Sequence, residues 1–211
     1  MNIHTIYRYV GERFRRKRMG EFARAFGVTG QTRILDIGGT LYNWSLIDVQ
    51  LHLTIVNLSP PPAHLPDRVN WIVADACNLP FSDNTFDIVY SNSVIEHLFT
   101  REAQKQMARE VQRLAPKYYV QTPNSRFPVE PHYLTPFIHW FPVSLRKRMI
   151  RNFTLWGWIA RPSRDTCARR VEEIQLLNEK ELRDLFPGAT ILHERFSGLT
   201  KSLIAVKGAS V

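Results

Sequence analysis

The chain has 211 residues, of which 44% are hydrophobic and 22% charged. This length buries one sizeable core and is short for two, so we expect a single domain. Cys77 and Cys167 are the two cysteines, and they form neither a CxxC pair nor a cluster with zinc-ligand spacing. The composition therefore excludes a disulfide-rich scaffold, predicts a reducing cytoplasmic environment and assigns no metal ligands.

The excess positive charge is concentrated in two segments. The formal net charge is +9; residues 1–31 contain seven Lys or Arg against two acids, and residues 123–176 contain nine against four. Such basic segments attract nucleic acid, anionic lipid or a phosphorylated substrate, and charge alone does not choose among them. No apolar run reaches the ~20 residues of a membrane span, so we expect a cytoplasmic protein, with peripheral attachment to a membrane face left open.

Apolar residues at near-helical spacing predict a basic amphipathic helix over residues 3–26. Short apolar segments then predict five strands, at 33–40, 53–57, 69–74, 85–90 and 117–122, and a closing hairpin of 189–196 and 201–206. Thr100 is a suitable N-cap for a helix after the fourth strand, and Asn178 with Glu181 has the capping-box spacing for another.

Strands that alternate with helices predict an α/β fold, a doubly wound Rossmann-like sheet that is mostly parallel with an antiparallel edge strand. We expect four parts: a basic N-terminal helix (1–30), a half that binds a cofactor (31–122), an inserted helical and aromatic cap on the acceptor side (123–177), and a final helix with a strand pair (178–211). In such sheets ligands bind beyond the carboxyl ends of the strands. Asp36, Asn57, Asp75 and Ser91 all lie at such predicted ends.

Four segments carry a family resemblance, in the order in which the family has them: Ile34-Leu-Asp-Ile-Gly-Gly-Thr40, Val56-Asn-Leu-Ser-Pro60, Ala74-Asp-Ala-Cys-Asn-Leu-Pro-Phe81 and Phe86-Asp-Ile-Val-Tyr-Ser-Asn-Ser-Val-Ile-Glu-His97. With them the sequence resembles the class I methyltransferases that use S-adenosylmethionine, especially the group called type 11. The resemblance covers residues 30–122 and resumes at 178–207. It implies that the chain is an enzyme whose cofactor is S-adenosylmethionine.

The resemblance also implies a set of cofactor-binding residues: Asp36, Gly38, Gly39, Thr40, Asn57, Asp75, Ala76 and Ser91. A glycine turn brings backbone N–H groups close to the cofactor, and Asp75 matches the residue that receives the adenine amino group. Asn57 stands where the family usually has an acidic residue that accepts hydrogen bonds from the ribose hydroxyls. Thr40 and Tyr42 replace further glycines of the family loop. An ordinary turn role for Asn57 remains open.

The segment 123–177 is longer than a minimal methyltransferase needs, and long excursions in compact domains are usually functional. It contains many aromatic residues, the basic run Arg146-Lys147-Arg148, and Glu130, His132 and His139. The resemblance places this segment over the acceptor site, so His132, His139 and His97, in that order, are candidate catalytic bases. An aromatic satellite core is the alternative for the segment. A helix-start role or, as in some relatives, a divalent cation is the alternative for Glu96 and His97.

We therefore expect O-methylation of a small hydrophobic or lipid-linked acceptor by direct displacement. Aromatic residues beside Lys and Arg suit a water–lipid boundary, which makes an anionic membrane surface a candidate partner. The same pairing can stack nucleobases and neutralise phosphates, but Ser91-Asn-Ser-Val lacks the Asn-Pro-Pro-Tyr-like element common in enzymes that methylate nucleic-acid amines. Methylation of nucleic acid or an amine, and cofactor binding without turnover, remain the alternatives. The sequence leaves the oligomeric state open.

Overall fold

The computed structural model describes residues 3–47 and 51–210, with side chains from residue 15 onwards. Residues 1 and 2 of the predicted N-terminal part and residue 211 of the predicted final part lie outside the described residues. The helices are α1 (Ile3–Phe26), α2 (Leu41–Trp44), α3 (Arg101–Leu114), α4 (Val143–Phe153), α5 (Leu155–Ala160), α6 (Arg164–Glu173) and α7 (Glu179–Leu185). The strands are β1 (Arg33–Ile37), β2 (His52–Asn57), β3 (Val69–Val73), β4 (Ile88–Asn92), β5 (Lys117–Pro123), β6 (Val129–Glu130), β7 (Thr135–Pro136), β8 (Thr190–Phe196) and β9 (Leu199–Lys207).

Seven strands form one sheet in the order β3-β2-β1-β4-β5-β9-β8, and β6 pairs with β7 apart from it. The first five strands of the large sheet are mutually parallel, and β9 is antiparallel to both of its neighbours. This confirms the doubly wound, mostly parallel α/β fold. The strand that runs antiparallel to the others, β9, is however the second strand from the edge, and β8 lies at the edge itself. The reason is burial: five consecutive residues of β9 are buried, whereas most of β8 is at least partly exposed.

The fourth strand begins later than predicted. The apolar run starts at Phe86, but this side chain packs into the core before the ladder begins, and strand pairing covers Ile88–Asn92. Asp87 lies between them and accepts a hydrogen bond from the backbone N–H of Arg33 at 2.8 Å. Ser91 is therefore inside the strand, whereas the sequence analysis placed it just beyond the strand end.

Helices cover both faces of the sheet. The described part of α1 packs Met19, Phe22 and Phe26 against one face, together with Trp44 of α2. The other face is covered by α3 and α7, which bury Met107, Val111 and Leu182 in the second cluster. The predicted helix signals are confirmed: Thr100 accepts a hydrogen bond from the N–H of Ala103, and Asn178 and Glu181 form a capping box.

The inserted segment has a small apolar core of its own, formed by Tyr133, Ile138, Ile150, Cys167, Val171 and Ile174. Its two ends meet, because the N–H of Ser125 donates to the carbonyl of Leu177 at 3.0 Å. The N–H of Gln175 donates to the carbonyl of Glu96 at 2.7 Å, which attaches the end of the segment to the loop after β4. The segment is thus a helical cap with a satellite core, docked beside the carboxyl edge of the sheet. In the described part of the chain, no helix has the length and apolarity needed to cross a membrane.

Candidate active site

The turn after β1 is built around a buried carboxyl group. Asp36 is completely buried, and its Oδ2 accepts a hydrogen bond from Nε1 of Trp44 at 2.7 Å. Its Oδ1 has no hydrogen-bond partner among the described residues. Burial raises the pKa of Asp36 to about 8, against a smaller lowering by the Trp44 bond. Asp36 therefore holds α2 against the sheet.

The two glycines of this turn are required by close contacts. Gly38 has a φ of +73°, and a Cβ there would lie 2.5 Å from a methyl carbon of Val94. A Cβ at Gly39 would lie 1.7 Å from Oδ2 of Asp36, so a side chain would displace the carboxyl group. Packing of the turn against Val94 and Asp36 therefore requires glycine at both positions. Thr40 follows as an exposed residue at the start of α2 without a side-chain cap bond.

Asn57 ends β2, and both polar atoms of its side-chain amide form hydrogen bonds. Its Nδ2 donates to the carbonyl of Gly39 at 2.9 Å, and its Oδ1 accepts from the N–H of Ser59 at 3.0 Å. This is an Asx-type turn that also clamps the glycine loop. The carbonyl oxygen retains a second lone pair, so ribose contact stays a prediction for this residue.

Asp75 follows the end of β3 and is exposed. One carboxylate oxygen accepts from the N–H of Cys77 at 2.9 Å, which shapes the turn that contains Ala76. The carboxylate is thus fixed in orientation but open to solvent, as a hydrogen bond to a ligand amino group requires. The adjacent Ala76 is half-buried.

Ser91 lies within β4, where it is completely buried and donates to the carbonyl of Ile37 at 3.2 Å. The next residue, Asn92, ends the strand and receives a hydrogen bond from Arg18 of α1. Strand order places the ends of β3, β2, β1 and β4 side by side. The predicted cofactor residues therefore share one edge of the sheet, and backbone turns with an exposed carboxylate there fit a nucleoside-containing ligand.

A second polar group lies just beyond β4, in the short 3₁₀ helix Ile95–His97. Glu96 is completely buried, and its Oε2 accepts from the hydroxyl of Thr122 at 3.0 Å. Its Oε1 has no hydrogen-bond partner within the described residues. Burial raises the pKa of Glu96, although His132 and His97 nearby act in the opposite direction.

Two histidines meet beside Glu96, one from the 3₁₀ helix after β4 and one from the inserted segment. Nε2 of His97 lies 3.1 Å from Nε2 of His132. Nδ1 of His97 is 2.8 Å from a carboxylate oxygen of Glu173, and Nδ1 of His132 is 2.6 Å from one of Glu130. We call these five residues the Glu-His cluster: Glu96, His97, Glu130, His132 and Glu173.

The electrostatics of the cluster follow from its burial and its carboxylates. Burial lowers the pKa of His132, but the charge and hydrogen bond of Glu130 together with the charge of Glu96 outweigh it, so the pKa is raised overall. The hydrogen bond from His97 lowers the pKa of Glu173. Each carboxylate therefore orients an imidazole ring, and Glu130 also favours positive charge on His132.

His139 lies outside this hydrogen-bonded cluster. Its Nε2 is 3.0 Å from the carbonyl oxygen of Ser125, and its Nδ1 has no partner among the described residues. Burial lowers the pKa of His139. The structure thus brings two of the three predicted histidines together and leaves the third beside Ser125, within its own segment.

Sequence reasoning missed Glu173, Thr122 and Trp44. Glu173 is one of two adjacent acids at the end of an ordinary helix, and it lies 76 residues from its partner His97. No local pattern marks such a residue. The Trp44 bond to Asp36 spans only eight residues and had a detectable signal, because a buried carboxyl group needs a nearby donor.

Comparison with known proteins identifies similar sequences and folds. Residues 31–117 match a family model described as a methyltransferase domain. No curated protein matches the sequence of the whole chain. Among solved structures, phosphoethanolamine N-methyltransferase 2 of Haemonchus contortus in complex with S-adenosyl-L-methionine has a TM-score of 0.58 at 15% identity, over 90% of this chain and 52% of that one.

Two further solved structures show the range of chemistry on this fold. The 1,6-didemethyltoxoflavin-N1-methyltransferase of Burkholderia thailandensis, with bound 1,6-didemethyltoxoflavin and S-adenosylhomocysteine, has a TM-score of 0.55 at 13% identity, over 92% of this chain and 78% of that one. The cyclase SpnF has a TM-score of 0.54 at 17% identity, over 84% of this chain; the chain thus spans 57% of that protein. Such identities show a shared fold, and function depends on the site.

Proposed function

We propose that this chain, whose residues 31–117 match a methyltransferase-domain model, transfers the methyl group of S-adenosylmethionine by direct displacement to a hydroxyl oxygen of a small hydrophobic or lipid-linked acceptor. When bound, the cofactor supplies a methyl group that the sulfonium charge already activates. The protein then contributes positioning, exclusion of water and, for a hydroxyl acceptor, a place for the proton.

The cofactor side of the proposal rests on the residues at the carboxyl edge. Gly38 and Gly39 keep the turn after β1 free of side chains, and Asn57 clamps the loop through its bond to Gly39. Asp75 offers an exposed, oriented carboxylate to the adenine amino group. Ser91 supports the turn from within the sheet through the carbonyl of Ile37.

One observation carries the choice of a hydroxyl acceptor: His97 and His132 are both oriented by carboxylates next to this edge. The Nε2 atoms of the two rings lie 3.1 Å apart, so a proton taken up by the pair is shared between them. The His97 side chain is 28% exposed and that of His132 only 12%, so His97 is the better candidate to contact the acceptor. His132 orients and polarises it.

The inserted segment supports the hydrophobic character of the acceptor. Phe137, Trp140, Phe153 and Trp158 are all at least half exposed in this segment, an unusual amount of aromatic surface for so short a stretch. Aromatic surface of this kind suits an acceptor with an apolar tail, or a lipid surface that carries the acceptor.

The first test is calorimetric titration with S-adenosylhomocysteine. We expect binding to the wild type and about tenfold weaker binding by Asp75→Ala, because one lost hydrogen bond contributes about 1 kcal/mol or more. Asp83→Ala is the matched control, since Asp83 is an exposed carboxylate that pairs with Arg113. The proposal fails if the wild type does not bind.

The acceptor is tested with pairs of compounds that differ only in a hydroxyl or an amino group, on short and long alkyl chains, with S-adenosylhomocysteine release as the readout. We expect turnover of the hydroxyl compounds, faster with the longer chains. Turnover of the amines alone would replace O-methylation by N-methylation, the activity named for two of the solved structures with this fold. Binding of the cofactor without any turnover would favour a non-catalytic role.

A further inference from the structure

A groove of about 710 Å³ lies between α1 and the last two strands of the sheet, β8 and β9. Among the described residues that line it, none belongs to the predicted cofactor-binding set or to the Glu-His cluster. Its volume lies within the ~300–1,000 Å³ that is usual for small-molecule sites. We propose that this groove binds an anionic amphiphile, that is, an alkyl chain with a carboxylate or phosphate head group. The site is separate from the methyl transfer proposed above.

The groove exists because α1 covers only part of its face of the sheet. Phe22 and Phe26 of α1 pack against Tyr119 of β5, with ring centroids 5.5 and 6.5 Å apart. In the strand order, β9 and β8 follow β5 towards the edge, so they extend past this contact. Among the described residues, the apolar cluster on this face takes its helical members from α1 and from α2, which follows β1. The last two strands therefore keep apolar side chains at the open side of α1.

The interior of the groove is apolar and elongated. Ile204 and Val206 of β9 and Leu192 of β8 line it from the sheet, and Phe26 lines it from the helix. On the α1 side the groove extends from Lys17 to Phe26, which corresponds to ~14 Å of helix. An extended alkyl chain in this groove removes its own apolar surface and that of the protein from water.

Two exposed arginines lie at the groove, one on each wall. Arg24 belongs to α1, where its Nε donates to the carbonyl of Gly20 at 3.2 Å, and Arg195 belongs to β8. A guanidinium group remains charged at physiological pH and can bind a carboxylate or a phosphate through two parallel hydrogen bonds. The two walls therefore offer cations to either kind of head group.

The acidic groups at the groove are paired with other cations. The described lining residues include two acids, Glu21 and Glu194. Glu21 lies 3.7 Å from the ammonium group of Lys17, and Glu194 lies 2.8 Å from the guanidinium group of the buried Arg18. Because these partners offset the two carboxylates, the charges of the two exposed arginines give the groove an excess of positive charge.

A β-bulge in the edge strand accounts for the position of one of these arginines. The pairing of β8 with β9 shifts register between Glu194 and Arg195, and both residues line the groove. In a regular strand, neighbouring side chains point to opposite faces of the sheet. A bulge breaks this alternation and commonly redirects a side chain next to a functional site. The strand thus departs from regular pairing where it supplies a cation to the groove.

The experiment is calorimetric titration of the full chain with monomeric decanoate and decyl phosphate, in the absence of S-adenosylmethionine and of any acceptor. We expect one site per chain. Decanol lacks the charged head group, and acetate and inorganic phosphate lack the chain, so each should bind at least tenfold more weakly. Tighter binding of decanoate or of decyl phosphate identifies the head group that the groove prefers.

The double variant Arg24→Gln with Arg195→Gln should bind both anions about tenfold more weakly and leave decanol binding unchanged, because it removes the two cations. Ala209→Phe adds a ring to a half-buried lining residue and should weaken the binding of all three alkyl compounds. The matched control is Arg109→Gln with Lys180→Gln, which removes the same charge at exposed positions of α3 and α7 and should leave binding unchanged.

Nuclear Overhauser effects on the wild type give a readout that is independent of variant folding. We expect them between the alkyl protons of decanoate and the methyl groups of Leu192, Ile204 and Val206. Contacts to the exposed rings of Phe137 and Trp140 instead would assign the amphiphile to the inserted segment and overturn the proposal. Absence of binding, equal affinity for decanol and decanoate, or equal losses in the control variant would also overturn it. Because no cofactor is present, these outcomes are separate from a failure to bind S-adenosylhomocysteine.

Discussion

The sequence assigns Asp36 to the cofactor-binding set, and that role stays a prediction. In the structure its carboxyl group is buried and accepts a hydrogen bond from the Trp44 indole N–H, so its observed contact is with α2. A buried carboxyl group with a single hydrogen bond is more stable when neutral, which is why its pKa is raised to about 8.

This raised pKa predicts a pH-dependent stability. The folded protein holds a proton on Asp36 that the unfolded chain releases above its ordinary pKa of about 4, so this contribution to the free energy of unfolding is present at low pH. It falls as the pH rises towards about 8, where the folded carboxyl group also ionises. Asp36→Asn should remove the dependence, because an amide of the same shape still accepts from Trp44.

Urea unfolding of the wild type and Asp36→Asn between pH 5 and pH 8 is the measurement. We expect the wild type to lose stability relative to the variant across this range, by on the order of a few kcal/mol. Two parallel curves would mean that Asp36 is already ionised in the folded protein at the lower pH.

The docking of α1 depends on a buried ion pair in addition to its apolar face. Arg18 is only 6% exposed, and its Nη2 donates to both carboxylate oxygens of Glu194 at 2.9 and 2.8 Å. It also donates to Asn92 at the end of β4. The basic helix α1 thus buries one of its arginines, Arg18, which connects β8 with the carboxyl end of β4.

We expect Arg18→Ala to lower the free energy of unfolding by about 3 kcal/mol or more, because it leaves the carboxylate of Glu194 buried without its main partner. Replacement of both residues, Arg18→Met with Glu194→Met, should recover most of that loss. Arg24→Ala on the same helix is the control, since the Arg24 side chain is exposed and donates to the carbonyl of Gly20, and its effect should stay within about 0.5 kcal/mol. An equally small effect of Arg18→Ala would show that the pair does not hold α1.

The outer surface of the protein combines positive charge with exposed aromatic rings on the inserted segment. Of the basic run in α4, Arg148 is exposed, whereas Lys147 pairs with Glu172 and Arg146 is half-buried. Arg151 follows on the same helix and is exposed. Phe153 is 64% exposed at the end of this helix. These neighbours suit an anionic lipid surface.

The double variant Arg148→Glu with Arg151→Glu should therefore bind anionic vesicles at least tenfold more weakly, because each basic residue near such a surface contributes about 1 kcal/mol. Co-sedimentation with vesicles of graded anionic content measures this, and added salt should weaken the wild-type binding. The control is Arg109→Glu with Lys180→Glu, which makes the same change in net charge at exposed positions of α3 and α7.

Two results would contradict the lipid surface. Equal losses in the two double variants would mean that net charge, and not this face, governs binding. Tight binding to RNA or DNA at the same ionic strength, with none to vesicles, would assign the basic surface to nucleic acid. S-adenosylhomocysteine affinity should be unchanged in both variants.

The strand segments, the helix caps and the glycine turn were determined by the sequence alone, because each depends on the order of neighbouring residues. Apolar runs that end in polar or glycine residues predict strands and their ends locally, and capping boxes mark helix starts within four positions. The error at β4 has the same origin: the side chain of Phe86 is buried like a strand residue, although its backbone N–H donates to the carbonyl of Leu114 in α3 and not to a strand.

The contacts of the Glu-His cluster were decided by tertiary structure. His97 and His132 are 35 residues apart, and Glu173 lies a further 41 residues along the chain, so no periodicity links them. Docking of the inserted segment through Gln175 and Glu96 brings them together. The position of β9 inside the sheet was likewise set by which strand buries more apolar surface. Local pattern therefore specifies the elements, while long-range burial and hydrogen bonding specify which of their polar groups meet.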